Sequence, residues 1–127
     1  MRYLPLLLTS LCLLTFSVNL RAQSQAEMNL TSAADLDKAD AKLNSLFKLI
    51  LTKNADQKEF CADLKEAHRA WIKFVEFHMK TLYPLKEGEN PRQVYGSSYP
   101  TEFAASKTIL IKQRIKQLAE LEGDASK

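Results

Sequence analysis

Three long stretches of the sequence place apolar residues at steps of three and four, which is the spacing of one face of an α-helix. The stretches cover residues 32–53, 56–83 and 99–121. No stretch sustains the two-residue alternation of strand-forming residues that a half-buried β-strand would show. The pattern therefore predicts an all-α fold, a small antiparallel three-helix bundle.

The predicted core follows one apolar stripe on each helix. Asp56, with Glu59 three residues later, resembles a capping box at the start of the second helix. Gly123 is predicted to cap the end of the third. The stripes consist of Leu36, Ala39, Leu43, Leu46, Phe47 and Ile50 on the first helix, of Phe60, Leu64, Ala67, Trp71, Phe74, Val75, His78 and Leu82 on the second, and of Phe103, Ile111, Ile115 and Leu118 on the third.

The two links between the predicted helices differ in length. Asn54 and Ala55 alone separate the first two helices, which therefore should form an antiparallel hairpin. Residues 84–98 form a long connection that is rich in proline and glycine. A connection of this length is either a plain connector or a binding loop, and the sequence leaves both open.

The N-terminus has the pattern of a secretory signal peptide over residues 1–22. Arg2 precedes an apolar run from Leu4 to Leu20, and Ala22 supplies a small residue at the expected cleavage point. We therefore expect an exported protein, periplasmic or secreted, whose domain covers residues 23–127. The alternative is a membrane anchor that is retained, although the run is short and is interrupted by polar residues.

Charge and cysteine content limit the partners of the mature chain. Removal of Arg2 and Arg21 leaves 16 basic and 15 acidic residues, interspersed along the sequence, which argues against nucleic-acid binding. Cys61 is the only cysteine that remains, so an internal disulfide is excluded. Its thiol is either a small, partly buried apolar group or a reactive group.

No constellation of residues predicts catalysis, a metal or a cofactor, so we do not expect an enzyme. His68 and His78 are ten residues apart, which separates them by about 15 Å along one helix and by about 80° around it. His68 is expected to be solvated. The sequence contains no Gly-x-Ser-x-Gly turn, and its few glycines form no phosphate-binding loop.

Aromatic residues supply the candidates for a partner-binding surface. Trp71 is expected in the core, and its neighbours in the core or at its rim, namely Phe74, Phe77 and Tyr83. Tyrosine is favoured at interfaces because its ring is apolar and its hydroxyl is polar. The candidates for partner contact are Arg92, Tyr95 and Tyr99, in and beside the long connection.

Three sequence motifs, in order, resemble those of the LprI-type lysozyme-inhibitor family. The run KADAKLN at 38–44, with Phe47 three residues later, resembles the family's "aD..LN..Y" opening. The run LKEAHRAW at 64–71 resembles its "L..aQ..W" helix, with His68 in place of glutamine. The run GSSYP at 96–100, followed by Arg114 and Leu118, resembles its closing "G.s.y…R…L" segment. The match extends over roughly residues 26–121.

The resemblance implies an exported helical protein that inhibits a lysozyme by non-covalent binding. It implies a lysozyme or another envelope protein as the partner. The alternative is a structural or interaction module of the cell envelope without inhibitory activity. Family members often have cysteines that could join the second helix to the third, but this sequence has His78-Met79 and Ala104-Ala105 there. The position shortly after the tryptophan that is often basic in the family is Val75 here.

The matched residues are expected to be structural: Asp40, Leu43, Asn44, Trp71 and Arg114. Asp40 and Asn44 are four residues apart and so share one helix face. Arg114 could pair with Asp40 and form a polar clamp between helices, because charges near a core need partners. A ligand-binding role for Asp40, Asn44 and Arg114 is the other interpretation.

Overall fold

The computed structural model describes the backbone from Leu4 to Asp124 and the side chains from Arg21 to Gly123. This part of the chain consists of helices joined by turns and loops, and it contains no strand. The all-α prediction is confirmed. The helices are α1 (Leu4–Lys53), α2 (Lys58–Leu82), the short α3 (Pro91–Tyr95) and α4 (Tyr99–Asp124).

The three long helices run up, down and up. Gln25 of α1 donates a hydrogen bond to Thr101 of α4, and Lys53 pairs with Glu122 near the other end, so α1 and α4 are parallel. Most of the close approach between helices joins α1 and α4. α2 turns back after Asn54, runs antiparallel to both, and contributes Leu64 to the shared core. The predicted hairpin and the antiparallel order of successive helices are therefore present.

The core lies where the three long helices meet. Ile50, Ile111 and Leu118 are completely buried, and Leu43 and Leu64 are nearly so. Burial of each such side chain contributes about 1.5–3 kcal/mol to folding. Around them pack seven partly buried residues, namely Leu36, Leu46, Phe47, Leu51, Phe60, Trp71 and Ile115. The stripes predicted for the first and third helices supply most of this set.

The stripe on α2 is rotated from the predicted one. Its buried residues are Leu64, His68, Val75 and Met79. Phe74 is 52% exposed because it precedes buried Val75 by one residue, which is about 100° around the helix. Phe77, 63% exposed, also lies outside the core. Apolar residues on both flanks of the true face made the sequence pattern too broad to centre correctly.

The turn between α1 and α2 is organised by Asn54, which is 6% exposed. Its side-chain amide nitrogen donates to the carbonyl oxygen of Ile50 at 2.8 Å, and its side-chain oxygen accepts from the side chain of Gln57 at 3.0 Å. α2 begins at Lys58, with Gln57 at the N-cap position, and no side chain makes a capping hydrogen bond there. The predicted capping box at Asp56 therefore does not form. Gly123 lies inside α4 and is not its cap, because the helix continues to Asp124.

Most of the predicted signal peptide lies outside the described side chains, and its cleavage remains a prediction. The expected boundary between residues 22 and 23 falls within α1. Among the helices whose residues are described, none has the length and apolar content required to span a bilayer.

Candidate functional site

The connection between α2 and α4 is ordered around α3. The side-chain oxygen of Asn90 accepts a hydrogen bond from the backbone N–H of Arg92 at 2.9 Å, which caps α3, and Pro91 occupies its first turn. Gly96 follows α3 with φ of 83°, a conformation that favours glycine. The long connection predicted from the sequence thus contains a capped helical turn.

Four aromatic rings, from Tyr83, Tyr95, Tyr99 and Phe103, hold this connection against the bundle; we call them the tyrosine cluster. Tyr83 meets Tyr95 and Tyr99 edge-on, with ring centroids 5.6 and 5.4 Å apart. Tyr95 and Tyr99 stack at 5.7 Å, and Phe103 lies 5.5 Å from Tyr99. Pairs in these geometries contribute about 0.5–1.5 kcal/mol beyond their burial.

Polar contacts and partial burial fix the hydroxyl groups of this cluster. Tyr95 donates a hydrogen bond to the carbonyl oxygen of Pro84 at 2.6 Å, which closes the base of the loop. The hydroxyl groups of Tyr83 and Ser106 lie 3.3 Å apart. Burial, together with the neighbouring Tyr83 and Tyr95 hydroxyls, raises the pKa of Tyr99.

The three candidates for partner contact thus have different surroundings. Tyr95 and Tyr99 are partly buried and contact each other, whereas Arg92 is exposed. Val94, which the sequence did not single out, is 48% exposed and follows Arg92 by two residues on α3. Arg92 and Val94 are therefore exposed side chains of the loop, whereas the two tyrosines are partly buried and support it.

An apolar groove of about 590 Å³ runs between α2 and α4 and ends at the tyrosine cluster. Its apolar walls come mainly from Trp71, Ile72, Val75, Met79, Leu85 and Ile111, together with Tyr83, Tyr99 and Phe103. Four charged residues also line it, namely Asp40 of α1, Glu76 and Lys80 of α2, and Lys107 of α4. Glu76 and Lys80 form an ion pair at 2.6 Å, and this pairing lowers the pKa of Glu76.

His68 lies beside this groove and is buried, contrary to the expectation that it is solvated. Its ring stacks between Phe47, with centroids 4.2 Å apart, and Trp71, at 5.7 Å. Its Nδ1 atom has no hydrogen-bond partner among the described residues. Burial, and to a smaller extent the positive charge of Arg114, lowers the pKa of His68. Its spacing of four residues after Leu64 was the signal for a buried position.

Cys61 lies at the hairpin, away from the groove. Its thiol is partly buried and lies 3.1 Å from the carbonyl oxygen of Asn54, as a weak donor. Within the described residues, no three side chains of metal-ligating type come together.

A family model described as lysozyme inhibitor LprI matches residues 18–118 of the 127. The chain belongs to the LprI lysozyme-inhibitor family. The LprI match includes the whole groove and the tyrosine cluster, and it ends at the buried Leu118 of α4. The family is named for inhibitors and not for an enzyme. Searches of curated proteins and of solved structures gave no match.

The residues that carry the LprI resemblance are distributed over the bundle. Leu43 is buried in the core, and Trp71 packs against the core and lines the groove. Asp40 lies at the groove, whereas Asn44 is exposed. The structure therefore places the tryptophan and the aspartate of the LprI motifs at one feature, the groove.

The predicted clamp between Asp40 and Arg114 does not form in the described part of the chain. The guanidinium of Arg114 donates instead to the side chain of Gln117 on its own helix, at 3.1 Å, and its Nε atom is buried without a partner. Burial lowers the pKa of Arg114. Arg114 lies three residues after the groove residue Ile111 and is close enough to His68 for its positive charge to lower the pKa of that histidine. Asp40, in contrast, lines the groove.

Proposed function

We propose that this protein is exported and inhibits a lysozyme by non-covalent binding. Membership of the LprI family is the observation that carries this proposal. The signal-like N-terminus supports export to the periplasm or beyond, where such an inhibitor meets its target.

The loop between α2 and α4 is the proposed contact surface. Arg92 and Val94 are exposed on it, and the tyrosine cluster holds it against the bundle. A loop that is already ordered loses little conformational entropy when it enters a cleft, so its contacts translate into affinity. The loop would block the lysozyme cleft by occupying it.

A lysis assay tests both parts of the proposal. The purified protein is added to lysozyme and a peptidoglycan suspension, and the fall in turbidity is followed. We expect slower clearing that saturates with inhibitor concentration. Arg92→Ala or Val94→Ala should weaken inhibition by about 1 kcal/mol or more, about fivefold in concentration.

The matched control is Lys48→Ala, which removes an exposed cation on α1. Lys48 lies close to Lys53, at the end of the bundle opposite the loop. It should inhibit as the unaltered protein does. Equal inhibition by all three variants would move the contact surface off the loop. No inhibition by the unaltered protein would favour the alternative, an envelope interaction module without inhibitory activity.

A further inference from the structure

The groove between α2 and α4 contains two charges of opposite sign that the fold does not use. Asp40 and Lys107 line it from α1 and α4, and both are partly buried. Among the described residues, neither has an ion-pair or hydrogen-bond partner. Glu76 and Lys80, at the same groove, neutralise each other. A partly buried charge without a partner costs free energy, so these two groups are suited to pairing with charges on a ligand.

The volume and the apolar walls of the rest of the groove suit a ligand with several apolar groups, such as a short peptide. Val75, Met79 and Ile111 are buried side chains that line it, and its volume of about 590 Å³ lies within the usual range of small-molecule sites, about 300–1,000 Å³. Apolar walls with a few polar groups at fixed places are typical of such sites.

We propose that this groove binds a short apolar peptide in its zwitterionic form. Asp40 binds the terminal ammonium group, Lys107 binds the terminal carboxylate, and the apolar side chains lie between α2 and α4. A fatty-acid carboxylate would pair with Lys107 but would be repelled by Asp40, and a cationic amphiphile would have the reverse difficulty. Only a ligand with both charges satisfies both residues. This binding is separate from lysozyme inhibition and does not depend on it.

Trp71 provides the measurement, because it is the only tryptophan of the chain and lines the groove. The fluorescence of the full-length protein is titrated with trileucine, with N-acetyl-trileucine and with trileucine amide. We expect a saturable change with trileucine. Each blocked peptide should bind about tenfold more weakly, because it loses one charge-assisted hydrogen bond.

Two variants assign the charges to the residues. Asp40→Asn should bind trileucine and its N-acetyl form with equal affinity, and Lys107→Gln should bind trileucine and its amide with equal affinity. Asp37→Asn and Lys112→Gln are matched controls, exposed on the same two helices and outside the groove, and should keep both tenfold differences.

Three results would overturn the proposal. The first is no fluorescence change with any peptide. The second is equal affinity of the unaltered protein for free and blocked peptides, a comparison that needs no variant. The third is octanoate binding as tightly as trileucine, which would identify a site for apolar chains in general. Since no lysozyme is present, none of these results bears on inhibition.

Discussion

His68 is a titratable side chain whose protonation opposes folding. Its neutral ring stacks between Phe47 and Trp71, and burial and Arg114 lower its pKa below the usual value of 6.5. The unfolded chain therefore binds a proton at a higher pH than the folded chain does. The contribution of His68 to stability is complete above pH 6.5 and is lost as the pH falls through the lowered pKa of the folded state.

We therefore expect the free energy of unfolding to fall between about pH 7.5 and about pH 5, as measured by urea denaturation. His68→Gln should reduce this dependence, because glutamine does not titrate. His78→Gln is the matched control on the same helix and should keep it. A pH dependence that is the same in His68→Gln as in the unaltered protein would show that other groups cause it.

Trp71 contributes to stability through the ring that packs against the core. Trp71→Ala should lower the free energy of unfolding by about 2–4 kcal/mol, somewhat less than for a fully buried tryptophan, because Trp71 is only partly buried. Phe74→Ala removes an aromatic ring three residues later that is 52% exposed, and should cost less than about 1 kcal/mol. Chemical denaturation of both variants makes the comparison. Equal losses would contradict the rotated stripe on α2.

Sequence patterns predicted residues near the centre of the bundle better than those at its edges. Leu43, Ile50 and Leu118 were expected in the core and are buried there. Each lies near the centre of the arc that its apolar stripe covers around the helix axis. The prediction for Phe74 was wrong because Phe74 directly precedes the buried Val75 and so points about 100° away from it around the helix. The Asp40–Arg114 clamp was wrong because spacing along two helices does not determine which way two long side chains turn.

At the scale of elements, the loop behaves as one unit with the tyrosine cluster. The sequence predicted Tyr95 as a candidate for partner contact, whereas in the structure its hydroxyl closes the loop onto the carbonyl oxygen of Pro84. Tyr95→Phe removes one exposed hydrogen bond and should cost about 0.5–1.5 kcal/mol at most. Tyr95→Ala also removes the stack on Tyr99 and should lower Tm further.

The variant that destabilises the loop more should also inhibit lysis less. We therefore expect weaker inhibition by Tyr95→Ala than by Tyr95→Phe. Thermal melting measures the effect on the fold, and the turbidity assay measures the effect on binding. A fall in Tm with unchanged inhibition would show that order in the loop is unnecessary for binding. The sequence could not reveal this role, because the partners of Tyr95 come from other elements and from the backbone.

The start of the expected mature chain is attached to α4 by a small polar cluster. Gln25 and Thr101 both bond to the side-chain oxygen of Asn29, and Asn29 also donates to the carbonyl oxygen of Ser97 at 3.4 Å. Thr101→Val should remove the two hydrogen bonds that Thr101 makes to Gln25 and Asn29, leaving the longer bond to Ser97, and should increase amide hydrogen exchange near residues 25–31. Thr31→Val is the control, since the Thr31 hydroxyl donates only within α1, to Glu27. Equal exchange in the two variants would contradict the attachment.

At the scale of the whole molecule, export and fold can be tested independently. Protein recovered from its host should begin near Gln23 on N-terminal sequencing, and an intact Met1 on cytoplasmic protein would contradict the predicted export. The fold class was predictable because helical periodicity is a property of continuous sequence. The groove was not, because it depends on the gap left where α2 crosses the parallel pair α1 and α4.

The parallel arrangement of α1 and α4 determines how the protein can be attached to a surface. Gln25 and Asn29 lie beside Thr101 and Ser97, so the start of the expected mature chain is at the same end as the loop. The C-terminal end of α4 is 26 residues further on, roughly 40 Å away. Immobilisation through a C-terminal tag therefore leaves the loop facing the solution, whereas an N-terminal tag or tether directs it toward the support.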